Sequence, residues 1–355
     1  MPSQKRIRVL IVDDSLMFRA AMSRGLSADE QIEVIATAAN PYDARTKIMQ
    51  TNPDVMTLDV EMPGMSGLEF LRILMPQHPM PVVVVSAVDG IVFEAMRAGA
   101  IDFIAKPEAG QMDAFIRELS AKIRIASIAK MRRTAPMLPL PDSRVNVIEK
   151  SKNARPSNLF ASTLVAIGAS TGGTEATSSI LKSLSGDFPA VLITQHMPAT
   201  FTKMYAERLN RESCLTVSEA VDGEPVLPGH AYVAPGGRQM RIVKAVPGYK
   251  IQLGSDEKVN GHCPSVDVLF DSVAEAAGKN AIGVILTGMG SDGANGLLKL
   301  RETGAYTIGQ DQQSSVVYGM PMEAMRRGAV VRQASLEMIP NVLINQIRLA
   351  GRHER

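Results

Sequence analysis

The chain has 355 residues, 45% hydrophobic and 21% charged, with a formal net charge of +2. That length suits two domains, each able to bury a core, and a charge so near neutrality gives no field that argues for nucleic acid or membrane as a partner. Its two cysteines, Cys214 and Cys263, lie far apart, form neither a disulfide framework nor a metal cluster, and fit a reducing cytoplasm.

The first residues, Lys5–Val12, have a basic start and an apolar run, but Asp13 and Asp14 cut the run short and no small-residue cleavage site follows, so no signal peptide is expected. No apolar run reaches the ~18 residues a membrane span needs. From there to about residue 130, short β-branched runs alternate with helical patterns. Strands are predicted at Arg8–Val12, Glu33–Ala38, Val55–Leu58, Val82–Ser86 and Asp102–Ile104, and helices at Met17–Leu26, Pro41–Gln50 and Ile91–Ala98. Nearly unbroken apolar strands suit a parallel sheet buried on both faces, so five βα units predict a doubly wound α/β domain.

In such a sheet, ligands sit at the carboxyl ends of the strands. Those ends carry Asp13 and Asp14, then Asp59, Ser86 and Lys106. Crowded carboxylates either raise their pKa values or bind a hard cation. With a divalent cation and a lysine to neutralise an incoming phosphoryl group, one carboxylate is free to become an acyl phosphate. The stretches I-V-D-D-S (11–15), L-D-V-E-M-P-G-M-S-G (58–67), V-V-V-V-S-A (82–87) and D-F-I-A-K-P (102–107) resemble the response-regulator receiver family. The resemblance covers residues 7–126 and implies a flavodoxin-like fold. It implies that Asp59 accepts phosphate from a histidine kinase and that Asp13, Asp14, Asp59 and the carbonyl of Glu61 hold Mg2+. Ser86 and Lys106 would contact the phosphoryl group, with Phe103 as the aromatic switch residue.

Residues 127–158 read as a linker. Pro136, Pro139, Pro141 and Pro156 lie among Arg132, Arg133, Arg144, Lys150, Lys152 and Arg155, a pattern of a solvated tether or of a contact with an acidic partner. The α/β pattern resumes at residue 159, with strands predicted at Thr163–Ile167, Ala190–Thr194, His230–Ala234 and Ala281–Leu286, and weaker candidates at Thr307–Gly309 and Ala329–Arg332. Met240–Leu253 reads as a hairpin turning at Pro247-Gly248.

The first of these strands ends in Gly168-Ala169-Ser170-Thr171-Gly172, a G-x-S-x-G pattern that lifts a serine hydroxyl above the sheet. Alone it is also compatible with a degenerate nucleotide loop. Ser170 needs a base. Of the five histidines, His196 follows a strand as Ser170 does. His230 starts a strand at the wrong end, and His262 sits in a loop that can line the site. Ala281–Leu286 runs into T-G-M-G-S-D-G, which places Asp292 at the same rim, where a carboxylate can orient the imidazole and glycine-rich backbone can face an oxyanion. The order Ser170, His196, Asp292 differs from that of the α/β-hydrolases.

I-G-A-S-T-G-G, T-Q-H-M-P, P-S-V-D-V-L-F (264–270), T-G-M-G-S-D-G and Y-G-M-P (318–321) resemble the catalytic domain of the chemotaxis protein-glutamate methylesterases. The resemblance implies a Rossmann-like domain over 159–350, with Ser170 as nucleophile, His196 as base, Asp292 as orienter and the Met289 N–H at the oxyanion. It implies hydrolysis of glutamate γ-methyl esters and deamidation of glutamines on the cytoplasmic domains of chemoreceptors, without a cofactor for that reaction. Cys263 stands where the family pattern leads one to expect arginine and Gln239 where histidine is common; both are expected to tune receptor affinity or specificity.

One chain carrying a phosphoacceptor and a hydrolase predicts that phosphate on Asp59 relieves occlusion of the Ser170 rim. A response regulator with a DNA-binding output is disfavoured, because residues 159–350 are too long and show no helix-turn-helix pattern. The joint presence of Ser170, His196 and Asp292 argues against a docking scaffold without activity, while a methylesterase serving another pathway stays open at this level.

Overall fold

In the computed structural model, residues 5–87, 91–131 and 163–353 are described, so most of the expected linker lies outside the described residues. The chain divides into two compact units on either side of it. In the first, the apolar runs become β1 (Ile7–Val12), β2 (Ile32–Ala38), β3 (Val55–Asp59), β4 (Val82–Ser86) and β5 (Asp102–Ala105), all parallel, in the order β2-β1-β3-β4-β5. The helices α1 (Leu16–Leu26), α2 (Pro41–Thr51), α3 (Gly67–Gln77), α4 (Ile91–Arg97) and α5 (Met112–Ser127) connect or follow them.

Local chemistry starts three of these helices. The Ser15 hydroxyl accepts the Phe18 N–H, the Asn40 carbonyl accepts the Asp43 N–H with Pro41 opening the helix, and Ser66 and Glu69 form a capping box. The strand order reverses at β1, so its carboxyl end and that of β3 flank the crevice of an open sheet.

The second unit holds a seven-stranded parallel sheet in the order β15-β14-β13-β6-β7-β10-β8. Its central strands are β6 (Leu164–Ala169), β7 (Ala190–Gln195) and β13 (Ala281–Ile285), every residue buried. Flanking them are β8 (Thr216–Glu219), β10 (His230–Val233), β14 (Tyr306–Gln310) and β15 (Arg332–Ala334). The direction of winding reverses between β6 and β13, which places the crevice there. The helices are α6 (Gly173–Lys182), α7 (Ala199–Glu212), α8 (Val266–Ala276), α9 (Ala294–Glu302), α10 (Met320–Arg326) and α11 (Ile339–His353).

The hairpin is β11 (Met240–Lys244) with β12 (Tyr249–Leu253), antiparallel, with Ala245 N–H donating to Gly248 O at 2.8 Å across the turn. Strand β9 (Pro225–Val226) adds a third, short member. Neither β8 nor β9 was expected. β8 is a mostly polar edge strand with only Val217 buried, and β9 is two residues long and begins with proline. The expected strand at Ala329–Arg332 moves to Arg332–Ala334, because Ala329 closes α10 by bonding Ala324 O and Val330 packs toward Gly309.

Helices α6 and α7 are tied by ionised groups. Arg208, almost fully buried, lies 2.6 Å from Glu175 and 3.1 Å from Glu212, and Glu212 also takes a 2.6 Å hydrogen bond from Ser178 and lies 3.0 Å from Lys182. Burial opposes the Glu212 charge, but Ser178, Lys182 and Arg208 overcome it and hold its pKa at about 2. A carboxyl depressed in the folded state contributes stability that is present above its unfolded value of 4.5 and lost as pH falls toward 2. Glu212→Gln is therefore expected to lower the urea midpoint at pH 7, with the difference from wild type shrinking between pH 4.5 and 2. A difference independent of pH across that window contradicts the ion-pair account.

Candidate active site

Ser170 follows β6 directly. Its N–H donates to Thr287 O at 3.0 Å, while its carbonyl accepts from Gly173 N–H at 2.7 Å and Gln195 Nε2 at 2.9 Å. Gly172 must be glycine: it turns the chain into α6 at φ +77°, and a Cβ there would stand 2.7 Å from Val316. The segment after β13 crosses close to Ser170, since a Cβ on Gly288 would lie 2.6 Å from the Ser170 Cβ. Thr287 fixes that segment, its hydroxyl donating to Thr171 O at 3.0 Å and accepting Val317 N–H at 2.9 Å, while Gln310 Oε1 accepts Thr287 N–H at 2.8 Å. Met289 follows at once, its side chain exposed.

His196 is next to Ser170 by strand register. Ala169 and Gln195 are paired across β6 and β7, so the residues that follow them emerge side by side at the carboxyl rim. The His196 Nε2 lies 2.7 Å from Asp292 Oδ2, and its Nδ1 is buried without a hydrogen-bond partner among the described residues. The imidazole also stacks on His262, with centroids 3.7 Å apart and planes 7° from parallel.

Asp292 is 2% exposed and receives more than the histidine. It accepts Ser265 Oγ–H at 2.7 Å, Val266 N–H at 2.7 Å, Asn260 Nδ2 at 2.8 Å and Asp267 N–H at 3.3 Å. It thus occupies the N-terminus of α8, where free N–H groups and the helix dipole favour an anion. Burial opposes its charge, but His196, Asn260 and Ser265 outweigh it and hold the carboxyl well below the usual carboxylate range. Asp267 returns the arrangement by accepting Gly296 N–H of α9 at 2.6 Å, and Asn260 bridges it to Asp292 with a 2.7 Å bond. Burial first, and Asp292 beside it, push the Asp267 carboxyl up.

The structure thus gathers Ser170, His196, Asp292 and the Met289 segment at one rim. His230 lies at the other end of its strand, its Nδ1 facing Pro228 O. His262, expected only as a possible lining residue, covers the face of His196. Sequence reasoning missed Asn260, Asp267, Gln195 and Gln310; the one local signal was Asn260-Gly261, a left-handed turn pair at φ 53° and 82°. Gln239 is 3% exposed and hydrogen-bonded into the 255–265 loop.

In the first unit, Asp13, Asp14 and Asp59 bring carboxylate oxygens within 4.8 Å of one another. Lys106 Nζ stands 2.8 Å from Asp59 and 2.9 Å from Asp13, and its own N–H donates to Ser86 O at 2.7 Å. The Phe18 ring lies 5.2 Å from that ammonium. Glu61 N–H donates to Asp59 Oδ1 at 3.1 Å. Burial raises the Asp59 pKa and Asp13 adds to the rise, against the opposing pull of Lys106. Three carboxylates facing one ammonium leave negative charge over, and hard oxygen donors in that excess fit a divalent cation such as Mg2+. Phe103 is buried, packed edge-on to Phe93 at 6.0 Å.

The sequence profile of CheB methylesterase matches residues 165–343, and that of the response regulator receiver domain matches residues 9–117. The chain belongs to the CheB methylesterase family. A protein-glutamate methylesterase/protein-glutamine glutaminase of Syntrophomonas wolfei is 51% identical over 349 residues, 97% of this chain and 99% of that one. A second, of Chromohalobacter salexigens, is 47% identical over 360 residues, 99% of each. The crystal structure of the Thermotoga maritima CheB methylesterase catalytic domain superposes with a TM-score of 0.51 at 38% identity, covering 52% of this chain and 98% of that domain. As in that family, two parallel-sheet α/β domains make up this chain.

Proposed function

We propose that this CheB-family chain is a phosphorylation-activated serine hydrolase that demethylates glutamate γ-methyl esters on chemoreceptors, releasing methanol, and deamidates receptor glutamines. The observation that carries it is Asp292 held on His196, side by side with Ser170 at one strand rim. Ser170 attacks the ester carbonyl and His196 takes its proton. Because Asp292 occupies Nε2, the receiving atom is Nδ1, the buried nitrogen left without a partner. The Met289 N–H faces the developing oxyanion. His196 then protonates the departing methoxide, and water releases the glutamate by the reverse sequence. A glutamine side chain passes through the same tetrahedral intermediate with ammonia as leaving group.

The receiver, assigned to residues 7–126 ahead of a linker (127–158) and the catalytic domain (159–350), takes a phosphoryl group on Asp59 from a chemotaxis histidine kinase. Asp13, Asp14, Asp59 and the Glu61 carbonyl would hold Mg2+, which supplies charge neutralisation. Lys106 already bridges Asp59 and Asp13 and is placed to pair with the phosphoryl oxygens beside Ser86; Phe103 is the residue that reorients in response. Substrate and kinase place the protein in the cytoplasm, a reading supported by the lack, among the described residues, of a helix long and apolar enough to cross a membrane.

The test measures methanol release from methylated receptor fragments by the full chain, with and without a small-molecule phosphodonor. Wild type is expected to be stimulated about tenfold or more, which requires a population shift of only ~1.4 kcal/mol. Asp59→Asn is expected to keep the basal rate and lose the stimulation. Equal stimulation of the variant removes Asp59 from the scheme.

A further inference from the structure

We propose that Gln239 is a positioning residue for the hydrolase, fixing the His196 imidazole from two sides without touching it. The inference rests on the esterase reading above. Gln239 precedes β11, and its side chain is 3% exposed. Its Nε2 donates to Glu257 O at 2.9 Å and to His262 O at 3.1 Å, and its Oε1 accepts Ser265 N–H at 2.9 Å. Its backbone adds two more ties: Gln239 N–H to Ser255 O at 3.1 Å and Gly254 N–H to Gln239 O at 2.7 Å. One residue therefore pins the loop from Ser255 to Ser265 at both ends and in the middle.

That loop carries one support of the imidazole, His262, and groups that hold the other, Asp292. His262, whose carbonyl Gln239 holds, lies face to face with His196 at 3.7 Å. Ser265, whose N–H Gln239 holds, gives its hydroxyl to Asp292 and opens α8, whose next two N–H groups also bind Asp292. Asn260, from the same loop, donates to Asp292 Oδ1 beside Ser265. Loss of the Gln239 amide frees the ring stack and the seat of the carboxylate together. An amide fits this position because the site asks for two N–H donors and one acceptor at once, which a carboxamide supplies without ionising. A neutral imidazole offers one of each, and a thioether supplies no donor.

Three chains decide the matter: wild type, Gln239→Met and Gln239→His, each full length and checked for folding by circular dichroism. Gln239→Met is expected to lower kcat on methylated receptor fragments by about 10- to 100-fold, as small misplacements of catalytic groups do. KM should stay near the wild-type value, because the residue does not meet substrate. Gln239→His, which restores one donor and the acceptor, is expected to recover part of the loss, and the His196 imidazole NMR signals should move in Gln239→Met. A folded Gln239→Met with wild-type kcat and unmoved imidazole signals overturns the proposal. So does a loss that only tracks the unfolded fraction in both variants, and if Gln239→Met does not fold, a folded Gln239→His with wild-type kcat and signals has the same force. A wild-type chain that releases no methanol sinks the esterase reading instead, and the imidazole shift alone then tests this one.

Discussion

Ser170→Ala is expected to lower kcat for methanol release on the order of 10^6-fold, leaving only what binding and oxyanion stabilisation supply without a nucleophile. The size follows from the reaction having no other route to an acyl-enzyme. Gln195, Thr287 and Gly173 hold the backbone of residue 170, so alanine changes the hydroxyl and little else. The variant should fold as wild type and should still take phosphate on Asp59, which separates loss of chemistry from loss of structure. A phosphodonor should not restore its activity, since unblocking a site without its nucleophile yields nothing. Comparable methanol release from Ser170→Ala and wild type would remove the central claim.

Asp292→Asn is the second large effect, with an expected loss of kcat of ~10^4-fold. The carboxylate accepts from His196 Nε2, so the useful tautomer carries its proton there and leaves Nδ1 free as the base. An asparagine that turns its NH2 group to the ring reverses this: Nε2 becomes the acceptor and Nδ1 keeps the proton. Turning its carbonyl to the ring instead brings the NH2 donors against Asn260, Ser265 and the Asp267 N–H, all of which donate to Asp292 Oδ1. Neither orientation satisfies the site. A fall in stability of about 1–2 kcal/mol, the scale of a lost helix cap, is expected as well. That contribution belongs to the ionised state, so it is present above the unfolded value of 3.8 and fades in acid, as the carboxyl protonates. Activity within tenfold of wild type would show that Asp292 does not orient the base.

These two residues differ in how far they could be read in advance. The loop holding Ser170 announces itself: an apolar strand, then a serine between glycines, one of which sits at φ +77°. The receiver carboxylates are equally legible, because they stand at the carboxyl ends of two strands. Asp292 was placed at the right rim by the strand before it, but its seat at the head of α8 was not foreseen. The partners that make it so acidic are His196, 96 positions away, and groups from residues 260–267, some 25 to 32 positions away, and nothing local encodes those contacts. The inward place of Gln239 was illegible for the same reason: its partners Glu257, His262 and Ser265 lie 18 to 26 positions away.

By itself the sequence determined what strict periodicity and strand-end chemistry can carry: two doubly wound α/β domains, an acidic phosphoacceptor rim and a serine, histidine and aspartate on one set of strand ends. Strands buried on both faces must be apolar along their length, and side chains at their ends have nowhere to point but the rim, so these features are written locally. The tertiary structure decided the rest. It set the strand order that brings β6 against β7 and β13, the nitrogen of His196 that Asp292 occupies, the stack of His262 on that ring, and the reciprocal seating of Asp292 on α8 and Asp267 on α9. Each depends on where separate elements dock. A hydrogen bond between residues far apart in the chain leaves no period or spacing in either segment from which it could be read.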